Sequence, residues 1–152
     1  MSSRHQSRRR ALQILFQWDQ RQPTVSVDDA VRAYYASLYS EESEQRPERD
    51  EFMEALVRGT VFKRAELDEM LERHSQHWRV SRMSAVDRNV LRLAAYEMRF
   101  SETPAAVVID EAVELARRFS GDESVGFVNG VLDSMRREED HDRASKTASG
   151  GE

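Results

Sequence analysis

Ser84-Ala-Val-Asp-Arg-Asn-Val-Leu-Arg-Leu-Ala-Ala-Tyr-Glu-Met-Arg-Phe100 is the stretch that settles the fold class. Ser84 followed three residues later by Asp87 is a helix-start signature, in which a side-chain oxygen accepts from a free N–H of the first turn. Val86, Val90, Leu93 and Glu97 then share one face at helical spacing, while Leu91, Ala94, Ala95 and Met98 make a second, apolar face. A helix that is apolar on more than one side has to be covered on more than one side. The spacing therefore predicts a central core helix from about Ala85 to Phe100, inside an all-helical fold.

The flanking segments carry the same periodicity. Ala11, Leu12, Leu15 and Trp18 make the inward stripe of a first helix from about Arg8 to Arg21, stopped by Pro23, while Arg10, Gln13, Gln17 and Gln20 fall together on its outward face. Ser26 with Asp29 opens a second helix carrying Val27, Ala30, Val31, Tyr34, Tyr35 and Leu38. Ser40 to Pro47 reads as a charged loop. A third helix is expected from near Glu48 with Phe52, Leu56, Gly59 and Phe62 or their neighbours inward, passing into a fourth with Leu67, Met70, Leu71 and Trp78; periodicity leaves open whether a kink divides them. Thr103 and Pro104 suit the cap and first position of a sixth helix with Val108, Ile109, Ala112, Ala116 and Phe119 inward. After a break at Ser120 to Ser124, a seventh carries Phe127, Val128, Val131, Leu132 and Met135 as far as Arg137. The expected organisation is a basic arm over residues 1–7, helical subdomains over 8–63 and 64–138, and a tail over 139–152. Arm and tail are expected to be disordered, because their composition buries too little apolar surface to order itself.

Charge is distributed unevenly. The net charge is −5, yet the first 18 residues hold four arginines and no acid, leaving the other 134 with 19 basic against 28 acidic groups, a balance of −9. A basic pole thus sits on an acidic body. Of the 23 basic residues only Lys63 and Lys146 are lysine; arginine suits bidentate phosphate and base-edge contacts, although a GC-rich coding sequence accounts for the ratio equally well. The absence of cysteine removes disulfides, thiolate metal sites and thiol nucleophiles. No run approaches the ~18 apolar residues of a membrane span and no signal-peptide pattern opens the chain, so a cytoplasmic protein is expected.

A search for chemistry finds no glycine-rich phosphate loop, nucleophile elbow or H-E-x-x-H helix. His74 and His77 near Glu72 have metal-ligand spacing but no third ligand at fixed distance, so a solvated or core-edge pair explains them more simply. Glu48, Asp50 and Glu51, or Glu111 and Glu114, read as solvated faces and first-turn charges rather than acid–base pairs. The run Arg8-Arg9-Arg10 beside Gln13 and Gln17 offers cations for phosphates and amides for base edges, as single-stranded RNA requires, or else merely solubilises the N-terminus. Phe127, near the start of the last helix, is placed either to stack on a base or to join the core.

Arg9 to Asp19 (RRALQILFQWD), Leu67-Asp68 with Trp78, Asp87 to Met98 (DRNVLRLAAYEM), Pro104 with Ile109 to Ala116 (IDEAVELA) and Phe127 to Asp133 (FVNGVLD) occur together in one order and spacing. In these blocks, over roughly residues 8 to 135, the chain resembles the NusB family. The resemblance implies about seven helices in two packed subdomains and a non-enzymatic, cofactor-free role in transcription antitermination on ribosomal RNA operons. It implies a heterodimer with a small-subunit ribosomal protein, called NusE in this role. That pair would bind single-stranded boxA RNA within the RNA polymerase antitermination complex, alongside other Nus factors. Carried onto this chain, the RNA surface comprises Arg8, Arg9, Arg10, Gln13, Gln17, Arg117, Arg118, Glu123 and Phe127, and the protein contact Glu66, Glu69, Glu72 and Arg73. Monomer and homodimer stay open, because some members self-associate. NusB-like domains also occur fused to ribosomal RNA cytosine methyltransferases, so an RNA-binding or protein-interaction module associated with RNA modification is the alternative. Without cysteine or a cofactor-binding turn, this chain would lack that activity of its own.

Overall fold

The computed structural model describes residues 3–39, 48–76 and 78–149. Four polar side chains start helices within it: Ser3, Ser26, Asp50 and Ser84 each accept from the backbone N–H three residues on, at 2.9 to 3.1 Å. The elements are α1 (Arg4–Gln20), α2 (Val27–Leu38), α3 (Glu51–Phe62), α4 (Arg64–His74), α5 (Ala85–Phe100), α6 (Ala105–Phe119) and α7 (Asp122–Ser149), with a single 3-10 turn at Val80–Arg82. Among the described residues there is no strand.

α5 is the central helix, with the bounds that its spacing implied. Val90, Leu91, Leu93, Ala94, Ala95 and Met98 are buried, and α1, α3, α4, α6 and α7 all pack against it. Full burial of each Leu or Val contributes about 1.5–3 kcal/mol, so this helix anchors the core. α3 approaches it closely: a Cβ on Gly59 would stand 2.1 Å from the Tyr96 ring, and glycine lets the two helices meet.

Two polar clamps fix α1 antiparallel to α5. Near the start of α1, the Arg8 Nε and Nη2 donate to both oxygens of Glu97 at 2.8 and 2.5 Å. Near its end, Asp19 Oδ2 accepts from Arg88 Nε at 2.5 Å and from the Asn89 amide at 2.9 Å. Arg92 lies 3.6 Å from Asp19 and reaches α4 by donating to both oxygens of Asp68 at 2.8 and 3.0 Å. The family-like residues Asp19, Asp68, Asn89 and Arg92 thus form one network joining three helices.

Burial alone would raise the Asp19 carboxyl, but the bonds from Arg88 and Asn89 and the charge of Arg92 outweigh it and hold Asp19 below its ordinary 3.8. A carboxyl that binds its proton more weakly when folded stabilises the fold above about pH 4 and loses that contribution as pH falls towards the lowered value. Asp19→Asn is therefore expected to lower Tm at pH 7 and to flatten the fall in Tm between pH 5 and 3, as read by thermal unfolding.

Several expectations need correction. α3 begins at Glu51 rather than near Glu48, because Asp50 is the capping residue. Its inward stripe is Met53, Leu56, Val57 and Thr60, which leaves Phe62, at the bend into α4, 84% exposed. Trp78 lies beyond the end of α4 and is exposed, and Phe119, in the last turn of α6, is half-exposed rather than inward. The last helix starts at Asp122, inside the expected break, and does not stop at Arg137. It continues to Ser149, and Glu138 pairs with His74 and Arg73 of α4 while Glu139 lies 3.9 Å from Arg99. At the other end, residues 4–7 form the first turn of α1, with Ser7 donating to Asp50 at 2.8 Å. Ser40 to Pro47 and His77 lie outside the described residues. Among those residues no group of three potential metal ligands gathers, and no helix is long and apolar enough to cross a membrane.

Candidate nucleic-acid interface

Three consecutive residues on a helix point about 100° apart, so an Arg-Arg-Arg run cannot place all its cations on one face. The structure divides the three. Arg8 turns inward, is 5% exposed, and is bonded to Glu97, whose hydrogen bond holds it more firmly protonated than a free guanidinium. The assignment of Arg8 to the RNA surface is thereby corrected: freeing it would leave a buried carboxylate unpaired, at about 3–5 kcal/mol. Arg9 and Arg10 are partly exposed, and their partners are of another kind. Arg9 Nη2 contacts His5 Nε2 at 2.9 Å, and Arg10 donates to Asp50 at 3.1 Å. Asp50 is itself buried but also accepts from the Ser7 hydroxyl and the Met53 N–H, so Arg10 can turn to a phosphate without leaving that carboxylate unbonded, as Arg9 can turn from the partly exposed His5.

Arg9, Arg10 and Gln13 of α1 line a cleft of about 400 Å³ with Leu12, Phe16, Val86 and Phe119. Its walls are apolar, and its rim is cationic with one amide. Phe16 and Phe119 are 37% and 46% exposed, so both rings present area to solvent. Arg118 lies over the Phe119 ring at 5.5 Å. A second cleft of about 220 Å³ joins Arg9 to Arg117 and Arg118 of α6, with His5 and Glu114. Arg117 pairs with Glu114 and lies 3.9 Å from Asp122. The two arginine groups, more than 100 residues apart in sequence, thus share one face.

Glu123 and Phe127 lie further round. Together with Trp78, Arg82, Ser84 and Asp87 they line a third cleft of about 230 Å³, tied to α5 by the Ser124 hydroxyl donating to Asp87 at 3.0 Å. Phe127 is both things its position allowed, packed on the core on one side and open to this cleft on the other. Gln17 is partly buried one turn beyond Gln13. Sequence reasoning passed over Phe16, although it lies three residues after Gln13 and seven after Arg9, on the same stripe. Glu66, Glu69, Glu72 and Arg73 are all exposed on α4, in contrast to the buried Leu67 and Leu71. Glu66 lies 3.7 Å from Lys63, and Glu72 accepts from the Val80 N–H at 3.2 Å.

These elements define a class: a helical bundle whose first and sixth helices share a cationic, aromatic-walled face, with an acidic face on the fourth. The chain belongs to the NusB family, whose model matches residues 5–137. It is 61% identical over 138 residues to the transcription antitermination protein NusB of Solibacter usitatus strain Ellin6076, covering 91% of each chain. It is 44% identical to the protein of that name from Koribacter versatilis strain Ellin345, over 95% of this chain and 96% of the relative. Among solved structures, T. maritima NusB superposes with a TM-score of 0.77 at 32% identity, covering 90% of this chain and 92% of the other. A chain from a crystal structure of the antitermination factors NusB and NusE in complex with double-stranded RNA superposes with a TM-score of 0.75 at 25% identity, covering 89% of this chain and 96% of the other.

Proposed function

We propose that the chain is a non-enzymatic, cytoplasmic RNA-binding antitermination factor that holds boxA-type RNA together with the small-subunit ribosomal protein NusE and so supports processive transcription of ribosomal RNA operons. The observation that carries this reading is the convergence of Arg9, Arg10 and Gln13 with Arg117 and Arg118 on one face beside half-exposed Phe16 and Phe119. Cations for phosphates, an amide for base edges and rings for stacking are what a single strand asks of a protein. Gln17, Glu123 and Phe127 extend that surface, with Glu123 tuning affinity rather than supplying it. The antitermination names of the relatives and the NusB–NusE–RNA complex of a structural neighbour support the assignment. Glu66, Glu69, Glu72 and Arg73 form the partner contact in this reading, where an acidic face speeds the encounter with a basic ribosomal protein.

Fluorescence titration of a boxA-type single-stranded RNA, with and without NusE, tests the reading. Binding is expected to strengthen with NusE present and to weaken steeply between about 50 and 200 mM salt, as phosphate contacts demand. Binding indifferent to both would contradict it.

A further inference from the structure

Phe62, the last residue of α3, is 84% exposed, more than any other large apolar side chain among the described residues. A lone exposed ring is ordinary on a protein surface, but this one tops a wider apolar site. On one side it borders a cleft of about 610 Å³ whose apolar wall is Trp18, Val25, Val27, Val61 and Ala65. On the other, the Lys63 ammonium lies 5.7 Å from the Phe62 centroid and 4.9 Å from that of exposed Phe100. None of these residues lines the arginine clefts.

Only Lys63 separates α3 from α4, and helical hydrogen bonds run up to it and away from it: its N–H donates to the Gly59 carbonyl at 3.0 Å, and its own carbonyl accepts from the Leu67 N–H at 2.9 Å. Phe62 stands four residues before Glu66, seven before Glu69 and eleven before Arg73, the spacing of one helix side, and all four are exposed. The apolar site and the charged stripe of α4 are thus continuous. By itself the stripe has charge but no anchor. A few side chains at the centre, aromatic ones prominent among them, hold most interfaces, while rim charges act mainly on the rate of encounter.

We propose that Phe62 is the anchor of the partner contact: its ring enters an apolar pocket of NusE, and an apolar side chain of NusE fills the cleft beside it. The proposal rests on the reading of α4 as the face that meets the ribosomal protein and adds the residue that holds the complex together. A second copy of this chain fits the surface less well. Two-fold pairing would bring Glu66, Glu69 and Glu72 against the same acids of the partner copy, whereas a basic protein meets that stripe with opposite charge.

The test is binding of the full-length chain to purified NusE by surface plasmon resonance, with association and dissociation rates read separately. Phe62→Ala removes an exposed ring, and is expected to weaken binding about thirtyfold, the scale of a hot-spot residue, almost wholly through faster dissociation. Its Tm and its affinity for boxA-type RNA without NusE are expected to match those of the natural sequence. Glu69→Lys is expected to slow association and lessen its salt dependence. Natural dissociation in Phe62→Ala beside slowed association in Glu69→Lys would overturn the anchor and leave α4 as the contact. Natural rates in both variants, or no binding of NusE by the natural sequence, would overturn the anchor and the α4 reading together. A dimer of the natural sequence in sedimentation velocity that is lost in Phe62→Ala would give this surface to a second copy and overturn the proposal.

Discussion

Arg8→Ala is expected to destabilise the fold by about 3–5 kcal/mol, because it strands the Glu97 carboxylate in the core with no partner. In a domain of this size each kcal/mol moves Tm by roughly 2–4 °C, so thermal unfolding should show a fall on the order of 10 °C. Glu97→Gln leaves the converse defect, a buried guanidinium facing an amide, and is expected to act in the same direction. Replacing both partners with apolar residues, Arg8→Met with Glu97→Leu, should recover most of the loss, since a well-packed apolar pair removes both desolvated charges at once. Any weakening of RNA binding in the Arg8→Ala chain should then track the unfolded fraction and be recovered in the double variant. A binding defect that persisted in the stable double variant would return Arg8 to the RNA surface.

The second large effect is expected from Arg9→Ala combined with Arg10→Ala. Each removes one cation from the rim of the aromatic-walled cleft, so the pair should weaken binding by roughly tenfold, by similar factors for different RNA sequences. The slope of log affinity against log salt should shrink by about one for each arginine. Stability should fall less than in Arg8→Ala: Arg9 is partly exposed, and buried Asp50, on losing Arg10, still accepts from the Ser7 hydroxyl and the Met53 N–H. Gel-shift or fluorescence titrations at three salt concentrations, beside a melting curve of the same sample, separate a lost contact from a lost fold.

These two predictions depend on a distinction that was only half legible in the sequence. Helix identity and the core stripe were legible wherever local physics dominates. Ser26 and Ser84 announce α2 and α5, and the two apolar faces of α5 imply its central place. What divides Arg8 from Arg9 is not local. It depends on Glu97, 89 positions away, lying opposite one residue of the run and not the next. On hydrophobicity Phe62 and Phe119 read as inward and Trp78 as part of the fourth helix, but each sits at or beyond a helix end, where the stripe no longer faces the core. Residues 138–149 show no apolar period, and the pairs Glu138 makes with His74 and Arg73 again join distant segments. The cleft follows the same pattern: Arg10 and Gln13 are visible in the sequence as a stripe, whereas its far wall comes from Phe119 and Val86 of other helices.

Side-chain NMR of the arginine Nε–H groups, recorded while boxA-type RNA is added, puts the division of the arginines to the sharpest test. Resonances of Arg9, Arg10, Arg117 and Arg118 should shift as RNA saturates the chain, while that of Arg8 stays fixed against Glu97. An unmoved Arg9 and Arg10, with shifts confined to the exposed face of α4, would contradict it.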